Sequence, residues 1–110
     1  MTALEMEKII ERSGDVERCH QLLAETKEIM AQEGVSMNET QWLSLASHLS
    51  AMLYRSIHNE PIQPLDSAMF SEVSPQSIEL AATVCKLLPN LHADEKYLLS
   101  IHFEAAKLNN

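Results

Sequence analysis

Apolar residues recur at intervals of three and four along most of the chain, which is the periodicity of an amphipathic helix. Short polar or proline-containing stretches interrupt the pattern and divide it into five long segments. The pattern therefore predicts an all-α protein, a compact five-helix bundle. The predicted helices cover about residues 3–12, 15–32, 37–58, 75–88 and 93–110, with a short helical piece over 66–72.

Polar residues at the segment ends predict where several helices begin and stop. Ser36 and Glu39 have the spacing of a capping box at the start of the third helix. Ser74 followed by Pro75 is typical of an N-cap and first helical position. Asp94 and Glu95 place carboxylates at the positive end of the last helix dipole.

The apolar stripes predict which helix faces are buried. The third helix is apolar nearly all round, which is typical of a helix at the centre of a bundle. Its apolar residues are Trp42, Leu45, Leu49, Met52, Leu53 and Ile57. The stripes of the second, fourth and fifth helices are Val16, Cys19, Leu23, Thr26 and Met30; Ile78, Ala81, Ala82, Cys85 and Leu88; and Tyr97, Leu98, Ile101, Ala105 and Leu108.

Length and charge narrow the function. The chain has 110 residues, enough for one domain over 1–110, and its two glycines and four prolines are too few for a many-stranded sheet. The net charge of -8 and the lack of a basic stripe exclude direct DNA or RNA binding. No apolar run approaches the roughly 20 residues of a membrane span. The N-terminus is acidic where a signal peptide is basic, so we expect a cytoplasmic protein that does not contact a membrane.

Few residues have the spacing that metal or catalytic chemistry requires. Cys19 and Cys85 are predicted to be buried free thiols, with a disulfide or metal pair as the lesser alternative. Cys19 and His20 are adjacent, so on a helix they point about 100° apart and cannot both face one ion. No Gly-rich loop or nucleophile elbow is present. We expect no catalytic residues, no metal and no cofactor, so the protein is not expected to be an enzyme.

Two of the five histidines lie well inside apolar helical segments. Arg55 follows His48 by seven residues, and Glu95 precedes His102 by seven, so each pair shares one helix face. By pattern alone, His48 and His102 are interpreted as core-edge histidines, each satisfied by a hydrogen bond. The remaining histidines, His20, His58 and His92, are predicted to be solvated.

Two stretches around these histidines resemble the signatures of the PTS regulation domain (PRD). Residues 45–55 read LASHLSAMLYR, a histidine with an arginine seven positions later. Residues 94–106 read DEKYLLSIHFEAA, an Asp-Glu helix start, an aromatic and apolar run, and a histidine followed by small residues. The resemblance covers essentially the whole chain as a stand-alone single-domain copy.

The resemblance implies a regulatory role in sugar-responsive transcription control. It implies phosphorylation on histidine by the phosphocarrier HPr or a sugar-specific enzyme II component, and contacts with a partner transcription regulator or with a second copy in a homodimer. His102 and His48 would be the acceptors, with His102 preferred because Ser47 replaces the acidic residue that usually precedes the first histidine. Arg55 would stabilise the transferred charge. The alternative is a degenerate domain that is not phosphorylated and serves for dimerisation or docking.

Overall fold

Five α-helices account for most of residues 3–109, the part of the chain that the structure, a computed structural model, describes. They are α1 (Ala3–Arg12), α2 (Val16–Gln32), α3 (Glu39–His58), α4 (Pro75–Cys85) and α5 (Glu95–Ala106), with short 3₁₀-helices at Ser67–Phe70 and Lys107–Asn109. The prediction of an all-α, five-helix protein is confirmed. The last helix was predicted over about 93–110, which is too long: α5 begins at Glu95 and ends at Ala106, and Asn110 lies outside the described residues. No helix in the described range is long and apolar enough to cross a membrane.

Helix α3 lies at the centre and packs against α1, α2 and α5, while α4 packs mainly on α5. The near-complete apolar circumference of α3 explains this position, because a helix that is apolar on several faces must be covered on several sides. Leu45, Leu49 and Met52 are completely buried, and Phe103 of α5 is 1% exposed. The central position of α3 thereby places its histidine next to α5.

Two of the predicted buried positions in α2 and α3 are wrong. Val16 is 47% exposed, whereas Leu22, absent from the predicted stripe of α2, is completely buried. Ile57, near the C-terminal end of α3, is also 47% exposed. Both residues lie at a helix end, where fewer neighbouring helices are available to cover an apolar side chain.

The predicted stripes of α4 and α5 are rotated from the observed ones. The core side of α4 consists of Ser77, Leu80, Ala81, Val84 and, just beyond the helix, Leu88; that of α5 contains Leu99, Phe103 and Ala106. Ile78, Ala82 and Cys85 are only half-buried, and Ile101 and Leu108 are exposed. These short helices are apolar on adjacent positions, so periodicity shows that a buried face exists without fixing its direction. The docking of α4 on α5 fixes it.

The start of α3 also differs from its prediction. Its N-cap is Asn38, whose Oδ1 accepts from the backbone N–H of Gln41 at 2.9 Å, while the Gln41 side chain accepts from the Asn38 N–H at 3.1 Å. Ser36 is therefore not the capping residue, although it fits the motif equally well. Residues 35–38 have no regular secondary structure, Met37 among them packs against the core, and the helix begins two residues later than predicted.

The predicted cap of α4 is confirmed and is tied to α5. Ser74 Oγ accepts from the N–H of Ser77 at 3.2 Å, and Pro75 occupies the first turn. Glu104 of α5 accepts hydrogen bonds from the Ser74 N–H, the Ser74 hydroxyl and, at 2.8 Å, the Ser77 hydroxyl. The hydrogen bonds from Ser77 and Ser74 lower the pKa of Glu104 to about 2. The helix ends at Cys85, three residues before the predicted end.

Both cysteines are free thiols, as predicted, but the predicted burial is confirmed only for Cys19. Cys19 is buried in α2 and Cys85 is half-buried at the end of α4. Burial raises the pKa of Cys19, and burial together with the charge of Glu95 raises the pKa of Cys85 to about 12. Both groups are therefore neutral thiols at physiological pH, without the thiolate character that nucleophilic or metal-binding cysteines need.

Candidate functional site

The imidazole rings of His48 and His102 meet where α3 crosses α5. His48 Nδ1 lies 2.9 Å from His102 Nε2, a hydrogen-bond distance, with the ring centroids 5.0 Å apart and the planes at 65°. The expectation that each histidine is satisfied by a hydrogen bond holds in one specific way: they satisfy each other. We call these two side chains the histidine pair.

The histidine pair is uncharged at neutral pH. Burial, followed by the charges of His102 and Arg55, lowers the pKa of His48 to about 4, against an opposing effect of Glu95. Burial lowers the pKa of His102 as well. Since a hydrogen bond between two neutral imidazoles needs one donor and one acceptor, the two facing nitrogens hold one proton between them.

The two outward nitrogens of the pair reach solvent. His48 Nε2 and His102 Nδ1 have no hydrogen-bond partner in residues 3–109, and no buried side-chain nitrogen or oxygen in that part lacks one. Both rings line an open groove between α1, α3 and α5. The other residues of this groove are Ile9, Thr40, Leu43, Ser44, Ser47 and Ala51. A reactant of moderate size can therefore approach the outward nitrogens without unfolding the bundle.

An ion pair joins the same two helices two turns away. Arg55 donates from Nε and Nη2 to the two carboxylate oxygens of Glu95, at 2.8 and 2.7 Å. The Glu95 side chain is completely buried, and that of Arg55 is 23% exposed. Residues 48 and 55 of α3 face residues 102 and 95 of α5, so the helices run antiparallel and are joined at both points. The cation is held in place by Glu95, with Nη1 left free of hydrogen bonds within the described chain.

A second cation lies beside the groove. Arg12, at the end of α1, lines a neighbouring depression together with Arg55 and Tyr54, and this depression shares Ser47 and Ala51 with the histidine groove. The Arg12 side chain forms no ion pair within residues 3–109. The sequence pattern did not identify Arg12 or the partner of Arg55 as site residues. The matching seven-residue spacings of the two histidine segments are the signal that could have revealed that partner.

The other three histidines lie apart from the pair. His20 is exposed, and His58 is exposed and stacks on Tyr54 with ring centroids 4.0 Å apart. His92 is half-buried and its Nδ1 accepts from the N–H of Asp94 at 3.0 Å, so the prediction of a solvated side chain is wrong there. The reason is local, because the turn before α5 brings this ring against the backbone. Among residues 3–109, no three His, Cys, Asp or Glu side chains are grouped to hold a metal ion.

Comparisons with known proteins agree on one family. The family model described as the PRD domain matches residues 23–106. A solved structure described as a PRD-containing transcription regulator from Lactobacillus casei ATCC 334 is 34% identical, covers 100% of this chain and 98% of its own, and superposes with a TM-score of 0.90. No curated protein matches the sequence significantly. The family match runs from the middle of α2 to the end of α5 and therefore includes the histidine pair and the ion pair.

Proposed function

Because the chain belongs to the PRD family, we propose that it is a regulatory domain of carbohydrate-responsive transcription control linked to the phosphotransferase system. In this proposal residues 1–110 form one domain that acts in the cytoplasm. The domain receives a phosphoryl group on His102 or His48 and passes the signal on through protein contacts. It performs no catalysis of its own and needs no cofactor or metal.

The proposed partners follow from the charge of the molecule and from its family. HPr or a sugar-specific enzyme II component supplies the phosphoryl group, and a transcription regulator receives the signal. Direct nucleic-acid binding is not part of the proposal, since the net charge is -8. A phosphoryl group adds nearly two further negative charges and three acceptor oxygens, enough to alter contacts at a helix surface.

The histidine pair is the observation that carries the proposal. A nucleophilic imidazole must be neutral, oriented and accessible, and these three conditions meet here: lowered pKa values, a 2.9 Å hydrogen bond, and an open groove. The cations Arg55 and Arg12 lie along the same surface, where they can attract the anionic donor group. Arg55 Nη1 remains available for this role while Glu95 holds the other nitrogens.

Phosphotransfer tests the proposal directly. Wild-type chain is incubated with phosphoenolpyruvate, HPr and the enzyme that phosphorylates HPr on histidine from phosphoenolpyruvate. We expect the chain to gain one acid-labile phosphoryl group. The single variants His48→Ala and His102→Ala are expected to show altered labelling, and the double variant is expected to show none. His20→Ala is the matched control, because His20 is an exposed histidine outside the groove, and its labelling should equal wild type.

Circular dichroism of each variant establishes that loss of label does not reflect unfolding. Labelling that persists in the double variant, or that disappears in His20→Ala, contradicts the assignment of the acceptors. Absence of label on the wild type with HPr and with enzyme II components as donors contradicts the phosphorylation proposal.

One feature favours the alternative of a domain that is not phosphorylated and serves for dimerisation or docking. Position 47 is a serine, so no carboxylate orients the His48 ring from the preceding position. The Ser47 side chain is exposed and forms no hydrogen bond to His48. The hydrogen bond with His102 orients it instead. The labelling experiment separates the two functions.

We also propose that the domain is a homodimer. Apolar side chains remain exposed on α3 and α5, including Ile57 at 47% and Ile101 at 49%. Ile101 is next to the histidine pair in sequence, so a dimer formed there would respond to a charge on His102. Light scattering is expected to return twice the 12.4 kDa monomer mass. A monomer at high concentration contradicts this, and Ile101→Glu is expected to shift a dimer toward monomer while Met69→Glu, on the 3₁₀-helix, is not.

A further inference from the structure

The geometry points to the histidine pair being a single acceptor: it takes one phosphoryl group in total, on His48 Nε2 or on His102 Nδ1, and the other histidine takes up the displaced proton. This inference deepens the proposed function and rests on it. The observation behind it is that His48 Nδ1 and His102 Nε2 face each other at 2.9 Å, so neither has room for a phosphoryl group. Only the outward nitrogens can react.

The shared proton makes the two outward nitrogens alternatives. When His48 donates from Nδ1, its Nε2 has the free lone pair, and the single N–H proton of His102 is on the outward Nδ1. When His102 donates from Nε2, its Nδ1 has the lone pair and His48 Nε2 is protonated. In either arrangement the pair presents one nucleophile and one N–H donor to the groove. The outward N–H of the other histidine is placed to donate a hydrogen bond to an oxygen of the incoming phosphoryl group.

The transfer step balances when the partner histidine is included. The nucleophilic nitrogen forms the new N–P bond as the N–P bond to the donor's phosphohistidine breaks, and the donor imidazole leaves and takes one proton from solvent. The acceptor ring would become cationic, and its inward proton moves across the 2.9 Å hydrogen bond to the facing nitrogen. The products are a neutral phosphoimidazole and an imidazolium beside it, with one proton taken up overall.

The same step prevents a second transfer. Once protonated, the partner ring has no lone pair left to attack phosphorus. The new phosphoryl group has nearly two negative charges, which favour the charged form of the neighbouring imidazolium and repel a second phosphorylated donor. The partner histidine is therefore a positioning residue, and it loses its own nucleophilic lone pair when its neighbour is phosphorylated.

The test uses the full chain, phosphorylated by HPr that has itself been phosphorylated on histidine from phosphoenolpyruvate. Intact mass spectrometry is expected to show one added phosphoryl group at saturation and no doubly modified protein. Phosphorus and nitrogen NMR of the product is expected to place phosphorus on Nε2 if His48 is labelled, or on Nδ1 if His102 is labelled. A doubly phosphorylated chain, phosphorus on His48 Nδ1, or phosphorus on His102 Nε2 overturns the inference while leaving the proposed function intact. No label on either histidine overturns both.

A matched pair of variants tests the proton transfer. If His102 is labelled, the variants are His48→Gln and His48→Glu; if His48 is labelled, they are His102→Gln and His102→Glu. Glutamine can form the hydrogen bond but cannot take the proton, so we expect phosphotransfer about a hundredfold slower than wild type. Glutamate can take it, so we expect the rate to recover by about tenfold or more over glutamine. Equal rates for the two variants indicate a structural contact only and overturn the proton-acceptor role.

Discussion

Replacement of Arg55 by methionine is expected to lower the free energy of unfolding by about 3–5 kcal/mol. The reason is that the Glu95 side chain is completely buried and each of its carboxylate oxygens accepts a charge-assisted hydrogen bond from Arg55. Methionine fills much of the same volume without a charge, so the carboxylate is left buried and uncompensated. Urea denaturation followed by circular dichroism measures the change. A domain of this size has about 5–15 kcal/mol in total, so the variant should be close to unfolding at moderate temperature.

Two further variants distinguish a lost ion pair from a lost side chain. Arg12→Met removes a nearby arginine that has no ion pair in residues 3–109, and is expected to change stability by at most about 0.5 kcal/mol. The double variant Arg55→Met, Glu95→Met removes both charges and should recover most of the loss, because the unpaired carboxylate is then absent. A loss below about 1 kcal/mol in Arg55→Met, or a double variant no more stable than the single one, contradicts this account.

The stability of the wild type is expected to fall by about 2 kcal/mol as the pH drops from 6.5 to 4.5. Folding lowers the pKa of His48 from 6.5 to about 4, mainly through burial. Below pH 6.5 the unfolded chain therefore binds a proton that the folded chain excludes, and acid favours unfolding. The stability of the folded state is therefore undiminished above the unfolded pKa of 6.5. It falls progressively as the pH drops toward the folded pKa of about 4. His102, whose pKa burial also lowers, changes stability in the same direction.

Urea denaturation at a series of pH values measures this slope. His48→Gln is expected to flatten the profile between pH 6.5 and 4.5, whereas His20→Gln, at an exposed histidine, should leave it unchanged. Most of the contribution of Glu104 lies below this window, since the stability from that carboxylate is lost as the pH falls from its unfolded pKa of 4.5 toward its folded pKa of about 2. A flat wild-type profile, or equal slopes for wild type and His48→Gln, would show that the histidine pair is not excluded from protonation by folding.

The histidine pair itself came only from the tertiary structure. The sequence identified His48 and His102 as candidates through their apolar helical surroundings and their resemblance to two PRD signatures, and it gave the seven-residue spacings to Arg55 and Glu95. It left the two histidines as separate sites, 54 residues apart. They meet because α3 and α5 run antiparallel at one crossing, and helix packing of this kind depends on all the neighbouring side chains at once.

The sequence determined the helix content of this protein, and the tertiary structure decided which side of each helix the core uses. Five apolar segments with few glycines favour helices by local periodicity, and Ser74 with Pro75 specifies one helix start through its own side-chain and backbone geometry. Local rules cannot choose between two equally good candidates, such as Ser36 and Asn38 for the cap of α3. In the structure Asn38 is the cap and Met37 before it packs, partly buried, against the core, and the docking of α4 on α5 set the inward faces of these two helices. Periodicity is a property of neighbouring residues, whereas burial depends on contacts with residues far away in the chain.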